Sequence, residues 1–375
     1  MKKLFAACFI ALCMVQVLPA ETAWAQRVSG RVFLDKNGNG KLDRGEPGIA
    51  KVPVTDGVQF VLSDAKGRYR IEVAADPVLK EGGEAIVSIS CPSNYRPTTP
   101  WFRRVAEMAK QGGADFGLKR EKQSLPFVFI HLTDTHMPRW PGKFARFRGD
   151  IHKDVRFCII TGDLVNNADG GGFEAVKGQF DSFRKQARDF PVPLYFVSGN
   201  HDVAGVRARW EDQQKKNPLY AYGFYTRDVG PLRWSFNYGG IHFVGLDFNN
   251  LQNGKWQWGI PPVAARWLGE DLKLLAPGTR VFLFVHNPSG GSTFRQAVKK
   301  HNTRGIFSGH THGGPADNLN VVPARFWGGD LNLGYRLVQV SGEGFDTFYR
   351  TWGNPYSITL DSPPGNTLKA GENII

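Results

Sequence analysis

Five apolar segments in the second half of the chain each run directly into a cluster of polar side chains. The polar clusters that follow them are DTH, GDLVN, GNHD, HN and GHTH, in that order. Each apolar segment is short enough to be a buried strand. In α/β folds, ligand sites gather at the carboxyl ends of such strands. We therefore expect the five clusters to meet at one edge of a sheet.

The side chains in these clusters have the chemistry of a metal site. Imidazole and carboxylate groups together suit first-row divalent or trivalent ions. A lone histidine is more often a packed core residue, but five of the nine histidines fall within these ordered motifs. The set is too large for one tetrahedral ion, and two ions that share a carboxylate account for the surplus. Glycines directly before the ligands let the backbone turn sharply.

The ordered motifs resemble the calcineurin-like metallophosphoesterase superfamily over about residues 127–313. Together with the segment in front, the chain resembles an exported bacterial subgroup that has an N-terminal β-sandwich domain. The resemblance implies an α/β fold, the four-layer αββα metallophosphoesterase sandwich, preceded by a small all-β sandwich domain. It also implies a hydrolase, an exported metal-dependent phosphoesterase.

The resemblance implies a ligand for each position of a binuclear metal centre. Asp163 would bridge two ions of Mn, Fe or Zn, and a hydroxide between the ions would attack phosphorus directly. The first ion would be completed by Asp134, His136 and His312, and the second by Asn200, His286 and His310.

Two further residues receive catalytic roles from the same resemblance. His201 is not a ligand in this family; it would steady the phosphoryl oxygens and protonate the leaving group. Asp202 would orient that histidine or its loop. Asn166 departs from the family pattern, because many members have an acid there that pairs with the histidine, and purple acid phosphatases have a metal-binding tyrosine. An iron–tyrosinate site is therefore not expected.

The N-terminal residues predict export. Lys2 and Lys3, the apolar run that follows them, and the small residues up to Ala25 are typical of a signal peptide over residues 1–25. The run is short for a membrane span, which needs about 20 residues. The mature protein is expected to be periplasmic or secreted, with no transmembrane segment.

Three segments follow the leader. Residues 26–120 carry short alternating apolar patterns separated by turn residues, which predict an antiparallel β-sandwich. Residues 121–320 would form the metallophosphoesterase domain. Residues 321–375 are strand-like and would either complete the catalytic domain or form a small extra domain.

A loop in the N-terminal domain has the pattern of an EF-hand calcium loop. Oxygen-bearing side chains alternate along it, a glycine allows the sharp turn, and an acid stands at the twelfth position. The flanking residues are strand-like, so the ion would be structural; a polar hairpin turn without metal is the alternative. The candidate ligands are Asp35, Asn37, Asn39, Asp43 and Glu46.

Charge and the inserted segments bear on the substrate. The formal net charge is +13, and it falls to +12 without the leader, which favours an anionic partner; a basic protein tuned for solubility is the alternative. A nucleotide, a glycerophosphodiester or a lipid or envelope headgroup would fit, and no stable nucleic-acid complex is expected. The candidate substrate contacts are Arg139, Asn166 and Tyr225. The aromatic residues of the insertions could instead only pack a lid.

Three function classes remain after the motif search. A nucleophilic-serine elbow, a Walker-type loop and a dinucleotide fingerprint do not occur in the sequence. A phosphodiesterase is favoured, because a proton-donating histidine and a large basic and aromatic lid suit a substrate with two arms. A phosphomonoesterase with the same site, and an envelope-binding module with a secondary metal site, are the alternatives. The two cysteines of the mature chain, Cys91 and Cys158, are expected to be free.

Overall fold

The computed structural model describes most of the chain from residue 26 onward. The described residues are 26–111, 113–137, 147–149, 151–208, 210, 215–252, 255–287, 299–310, 321–323, 334–342, 344–351 and 358–360. The predicted leader, Arg139 and His312 lie outside them. Both Cys91 and Cys158 are buried free thiols, as predicted.

The N-terminal domain consists of two four-stranded sheets, in the orders β4-β1-β8-β6 and β3-β2-β5-β7. β4 shows why these segments form strands, because its side chains alternate between exposed and buried and place Tyr69 and Ile71 in the core. β1 pairs antiparallel with β4 but parallel with β8, so the sandwich is not purely antiparallel. The elements are β1 (Arg27–Leu34), β2 (Pro53–Thr55), β3 (Phe60–Leu62), β4 (Arg68–Glu72), β5 (Ile86–Ile89), β6 (Tyr95–Pro97), β7 (Phe102–Arg104), α1 (Val105–Gln111) and β8 (Phe116–Arg120), with a 3-10 turn at Pro77–Leu79.

The second domain has two larger sheets, a six-stranded one in the order β11-β10-β9-β19-β20-β21 and a five-stranded one in the order β12-β13-β16-β17-β18; β14 and β15 form a separate ribbon. The strands are β9 (Phe127–Leu132), β10 (Val155–Thr161), β11 (Leu194–Val197), β12 (Trp234–Tyr238), β13 (Ile241–Leu246), β14 (Asn249–Gln252), β15 (Lys255–Trp258), β16 (Arg280–Val285), β17 (Thr303–Ser308), β18 (Val321–Pro323), β19 (Gly334–Val340), β20 (Phe345–Thr351) and β21 (Ile358–Leu360). The helices are α2 (Phe173–Ala187), α3 (Gly223–Asp228) and α4 (Pro262–Lys273).

Aromatic side chains fill the space between the two sheets. Phe129 stacks on Phe157 with ring centroids 5.2 Å apart and meets Phe243 edge-on at 5.7 Å. α2 covers the outer face of the six-stranded sheet with Phe180 and Phe183. α4 covers the five-stranded sheet from the other side with apolar residues at helical spacing. The predicted α/β sandwich with a β-rich domain in front is therefore confirmed.

The strands beyond residue 320 pair with the catalytic sheets. β18 lies parallel to β17, and β19 lies antiparallel to β9 in the centre of the six-stranded sheet. β20 and β21 extend that sheet outward by antiparallel pairing. Within the part of the chain that the structure describes, no helix is long and apolar enough to cross a membrane.

The two domains share one buried junction. The core cluster between the catalytic sheets continues into the N-terminal sheets through residues such as Val54 and Ile89. Trp267 of α4 donates a hydrogen bond to Thr55 at 2.8 Å. The guanidinium of Arg233, 1% exposed, lies between Asp247 and Asp76 at 2.7 and 2.8 Å. These contacts fix the N-terminal domain against the catalytic one.

Candidate metal centre

Parallel strands bring the predicted clusters to one edge of the molecule. In the six-stranded sheet, β9, β10 and β11 run parallel, and they end within one residue of one another in register. In the five-stranded sheet, β13, β16 and β17 do the same. Asp134, Asp163, Asn200, His286 and His310 follow five of these strand ends. The structure thus places them where the sequence predicted, at the carboxyl edge of the sheets.

The backbone at this edge is strained. Asp134, His136, Asp163 and His310 all adopt positive φ, between 45° and 65°. Residues other than glycine rarely adopt this conformation, and its cost is of order 1–3 kcal/mol per residue. Half of the eight such residues in the described chain are predicted ligands. The concentration of strain indicates that the fold orients these four side chains at the expense of stability.

Two glycines permit the close approach of neighbouring strand ends. A Cβ on Gly199 would lie 2.3 Å from Asp163 Oδ1, and a Cβ on Gly309 would lie 2.6 Å from Asp134 Oδ2. Neither distance is sterically allowed. The nearest atoms are the backbone nitrogen of Asp163 at Gly199 and the Thr133 hydroxyl at Gly309, so glycine is needed for the strand ends to lie this close.

One oxygen of Asp163 faces histidines from both sides. Asp163 Oδ2 lies 4.0 Å from His136 Nε2 and 3.4 Å from His286 Nε2. Ligand atoms of His136, Asp163 and His201 lie within 4.8 Å of one another, and so do those of Asp163, His286 and His310. Asp163 is the member common to both groups. A carboxylate common to two groups of candidate ligands suits a residue that would be shared by two ions.

The tautomer of His286 is set by the backbone. Its Nδ1 donates a hydrogen bond to the carbonyl of Thr161 at 2.8 Å, which leaves Nε2 to face Asn200 Oδ1 at 3.1 Å and Asp163 Oδ2. Such a backbone bond is the usual way in which a protein orients a metal-binding histidine. In a neutral imidazole with this tautomer, Nε2 is an acceptor and meets two other acceptors. A positive charge, either a proton or a metal ion, is needed between them.

The electrostatics of the site favour that positive charge. Burial alone would lower the pKa of His286, but the charge and hydrogen bond of Asp163 raise it to about 10. Burial alone would raise the pKa of Asp163, but attraction to His286, His201 and His136 lowers it below the usual range. The buried side chains therefore fit metal ions, which would replace the protons that the carboxylates attract.

Asp134 and His310 close the site from opposite sheets. Asp134 is fully buried, and its Oδ2 accepts a hydrogen bond from the backbone amide of His310 at 3.2 Å. The ring of His310 lies 5.1 Å from that of His286, measured between centroids. On its outer side, His310 meets Trp258 at 5.2 Å. His312, the remaining predicted ligand, lies outside the described residues.

His201 has a carboxylate partner that the sequence reasoning did not identify. Its Nδ1 donates to Asp169 Oδ1 at 2.8 Å, and Asp169 is 1% exposed. Burial disfavours the charged imidazole, but this hydrogen bond and the surrounding carboxylates raise the pKa of His201. Arg207 Nε lies 3.3 Å from the other oxygen of Asp169. Asp169 thus pairs with His201 in the way that an acid at position 166 does in many members of the family. The backbone amide of Asn166 donates a hydrogen bond to the carbonyl of Met137.

Of the two roles predicted for Asp202, orienting the His201 ring or its loop, the hydrogen bonds favour the loop. The Asp202 carboxylate is fully buried and accepts hydrogen bonds from the amides of Gly199 at 2.8 Å and Val165 at 3.0 Å. Burial and the nearby charge of Asp163 raise the pKa of Asp202 to about 7. Both oxygens of Asp202 accept hydrogen bonds from backbone amides, so Asp202 holds the loop that carries the GNHD motif. The His201 ring is oriented by Asp169.

The predicted substrate contacts have different surroundings. Tyr225 is fully buried in α3, so its side chain has no surface exposed to a substrate in this structure. Most other rings of the same insertion, among them Tyr222, Phe224 and Trp234, are also buried. They pack against the domain, the alternative role considered for them. Trp258 belongs to a different segment, β15, and its side chain is 49% exposed at the edge of the site.

The predicted calcium loop is held by its own hydrogen bonds. Asp35 is fully buried, and its carboxylate accepts from the amides of Gly38 and Gly40 at 2.6 and 2.7 Å. Glu46 accepts from the amide of Lys36 at 2.8 Å. Calcium binding here stays a prediction, with Asp35, Asn37, Asn39, Asp43 and Glu46 as the candidate ligands.

Comparisons with known proteins match both domains. The family described as calcineurin-like phosphoesterase matches residues 127–314. The family described as the N terminal of calcineurin-like phosphoesterase matches residues 36–121.

Two curated relatives and one solved structure illustrate the similarity. A probable glycerophosphodiester phosphodiesterase GpdQ of Arcobacter nitrofigilis is 25% identical over 43% of this chain and 57% of its own length. A serine/threonine-protein phosphatase CPPED1 of Danio rerio is 26% identical over 50% of this chain and 65% of its own. The chain thus spans less than two thirds of either relative. The structure of PhoD aligns with 92% of this chain and 90% of its own at 11% identity, with a TM-score of 0.39.

Proposed function

The chain belongs to the calcineurin-like phosphoesterase family and is a hydrolase, and we propose on that premise that it cleaves phosphodiesters at the polar edge described above. The observation that supports this most directly is the position of Asp163, whose Oδ2 faces His136 and His286 from two sides. A shared carboxylate between two groups of histidines suits a binuclear centre, which would stabilise the attacking and the leaving oxygen of an in-line displacement.

Each buried side chain has a definite part in this proposal. The first ion would be held by Asp134, His136 and Asp163, with His312 as predicted, and the second by Asp163, Asn200, His286 and His310. When bound, divalent ions such as Mn, Fe or Zn would supply an activated hydroxide and neutralise the charge on the phosphoryl oxygens.

His201 would protonate the leaving oxygen as its bond to phosphorus breaks. Asp169 occupies Nδ1, so Nε2 is the nitrogen left for the substrate. The partly exposed His201 side chain, 28% accessible, contrasts with the buried His136 and His286. A proton donor must be reachable by the substrate, whereas a ligand need not be. The Asp169 bond keeps the proton on the ring until the leaving group takes it.

The choice of a diester depends on the surroundings of the site. A histidine that donates a proton accelerates cleavage most when the leaving group is poor, such as the alcohol of an alkyl diester. Trp258 offers an exposed ring beside His310, against which an apolar or flat arm of a nucleotide, a glycerophosphodiester or a lipid headgroup could pack. One relative is named as a diesterase and another as a protein phosphatase, so a monoester preference is the alternative outcome.

The test compares a bis-aryl with a mono-aryl phosphate, using protein from residue 26 onward with metals restored. Asn200→Ala and His201→Ala would be assayed beside a control, His152→Ala, whose side chain is 46% exposed. We expect preferential diester cleavage and no loss in the control. Asn200→Ala should lose roughly a hundredfold or more, and His201→Ala should lose as much when the leaving phenol is unactivated and needs a proton. Faster monoester cleavage would overturn the substrate class, and no cleavage with any of the three metals would overturn the function.

Export completes the proposal. It is supported by Lys2 and Lys3, by the apolar run after them and by the small residues before position 26. The mature protein would act in the periplasm or outside the cell. Expression of the full chain, followed by fractionation and N-terminal sequencing, should give a periplasmic or secreted protein that begins at Gln26. A cytoplasmic protein that retains Met1 or Lys2 would contradict it.

A further inference from the structure

An open cavity of about 760 Å³ lies between the N-terminal domain and the segment that follows the GNHD motif. The N-terminal domain contributes Lys80 and Glu81 to one wall. The catalytic domain contributes cationic side chains to the other wall and two aromatic rings: Arg207, Lys215, Lys216, Trp210 and Tyr220. Neither domain alone would form this cavity.

The cavity is strongly cationic. Four basic side chains line it against a single carboxylate, that of Glu81. In the part of the chain that the structure describes, neither Lys80 nor Lys216 forms an ion pair, and both are exposed. Arg207 is paired with Asp169, so the positive charge available at the cavity is chiefly that of Lys80 and Lys216. Two exposed lysines at one cavity favour an anionic ligand.

The cavity is connected to the reacting centre through Arg207. Its Nε lies 3.3 Å from Asp169 Oδ2, and Asp169 Oδ1 accepts the hydrogen bond of His201 at 2.8 Å. The backbone amide of Arg207 also bonds the carbonyl of Asp169 at 2.8 Å. The cavity thus begins two side chains away from the histidine that protonates the leaving group. The cavity wall at Arg207 is therefore a close neighbour of the residue that would protonate the leaving group.

The wall that carries Lys80 is fixed in place. Asp76, at the start of the 3-10 turn before Lys80, pairs with the buried Arg233 at 2.8 Å. After the turn, the amide of Glu84 donates to Thr226 Oγ1 at 3.1 Å. Gly82 packs so closely that a Cβ there would lie 2.1 Å from the Tyr220 carbonyl oxygen. The N-terminal domain therefore presents Lys80 at a set position relative to the catalytic domain.

We propose that this cavity binds a second anionic group, of the phosphate class, on the leaving alcohol of a phosphodiester. This inference rests on the proposed function, since it assigns the leaving arm to the side of His201. A water oxygen forms the new bond to phosphorus and loses a proton to solvent, while the bond between phosphorus and the leaving oxygen breaks. The leaving oxygen takes the His201 proton, and the second anionic group stays unchanged. The N-terminal domain thereby becomes part of the specificity machinery, with Lys80 and Lys216 as specificity-determining residues.

The experiment uses two methyl aryl phosphodiesters that differ in one arm of the leaving phenol. One carries a 2-phosphonoethyl group, which is anionic and not hydrolysed, and the other carries its neutral dimethyl ester. Release of the phenol would be measured for the protein from residue 26 onward, for Lys80→Glu/Lys216→Glu, and for a control, Lys66→Glu. Lys66 is exposed on the N-terminal domain and does not line the cavity.

We expect the wild type to have a kcat/KM roughly fivefold to tenfold higher for the anionic arm. The double variant should lose this preference through KM and cleave the neutral ester as the wild type does, while the control should keep it. The preference should also weaken with added salt. Equal kcat/KM for both esters in the wild type, or an unchanged preference in the double variant, would overturn the inference and leave the proposed function intact.

A binding measurement keeps the inference testable if neither diester is cleaved. The phosphonoethyl phenol itself would be titrated calorimetrically into wild type and double variant. Binding that the double variant loses would support the cavity although the proposed function had failed. Binding of equal strength in both proteins, or no binding to the wild type, would overturn the inference independently of any activity.

Discussion

Two clusters of buried charge lie in this molecule, and they are built in opposite ways. At the domain junction, Arg233 is surrounded by partners: it bonds Asp247 at 2.7 and 3.1 Å, Asp76 at 2.8 Å and the carbonyl of Gly57 at 2.6 Å. At the sheet edge, Asp163 Oδ2 faces Nε2 of His286, and the same nitrogen also faces the amide oxygen of Asn200. At the junction, side chains of the protein neutralise the charge of Arg233, whereas the acceptors at the sheet edge need a bound proton or metal ion.

The comparison of these two clusters shows how buried charges that stabilise a fold differ from buried charges that bind a ligand. A buried ion pair with complete hydrogen bonding fixes geometry, and removal of one partner is strongly destabilising. A buried set of hydrogen-bond acceptors that lacks a cation contributes little to the stability of the fold. At this edge the backbone is also strained, at Asp134, His136, Asp163 and His310. Proteins keep such sets where they bind something.

The largest effect is expected from Asp163→Asn, which removes the charge shared by the two groups at the edge. We expect kcat to fall by roughly a hundredfold to a thousandfold, together with a loss of bound metal, because the amide cannot bridge two ions as a carboxylate does. Activity assays and metal analysis of the same preparation check this. Full activity with unchanged metal content would place the site elsewhere.

Arg233→Met tests the other member of the comparison. It leaves Asp247 buried without its cation, so the free energy of unfolding should fall by about 3–5 kcal/mol, while kcat of the folded protein changes little. Denaturant unfolding measures the loss. Adding Asp247→Asn should recover part of it, because the uncompensated buried charge is then gone. A variant as stable as the wild type would show that the triad is not structural.

Asp169→Asn distinguishes the contribution of proton donation by His201 from that of the candidate metal ligands. The amide would weaken the hold on the His201 proton, so cleavage of a diester with an alkyl leaving group should slow by roughly tenfold to a hundredfold. A diester with a 4-nitrophenol leaving group, which departs without protonation, should be cleaved nearly as before. Equal losses for both substrates would mean that Asp169 acts on the metal site or on the fold.

The smallest effect is expected at the rim of the edge. Trp258→Ala removes the exposed ring beside His310, and KM for an aryl diester should rise by roughly threefold to tenfold with kcat unchanged. Leu62→Ala, an exposed apolar side chain of the N-terminal domain, is the matched control. An effect on kcat instead of KM would show that Trp258 supports the ligand His310.

The positions of the candidate metal ligands at the sheet edge followed from the sequence because they come directly after apolar strands, and parallel strands end together. Asp169 did not follow, because its role depends on a loop that folds back so that the amide of Ala168 bonds the carbonyl of His201. One signal was available: Asp169 is the only acid between Asp163 and Glu174. The pairing of Asp76 with Arg233 joins residues 157 positions apart, and nothing in the local pattern of either segment predicts it.

The most direct test of the account is a metal titration that compares the two buried clusters in one experiment. Chelator-treated wild type, Asp163→Asn and Arg233→Met would be titrated with Mn(II), with bound metal and diesterase activity measured at each step. We predict two ions per chain for wild type and for folded Arg233→Met, diesterase activity that appears as they bind, and fewer bound ions in Asp163→Asn. Full activity of the chelated wild type, or equal metal binding by Asp163→Asn, would contradict this prediction.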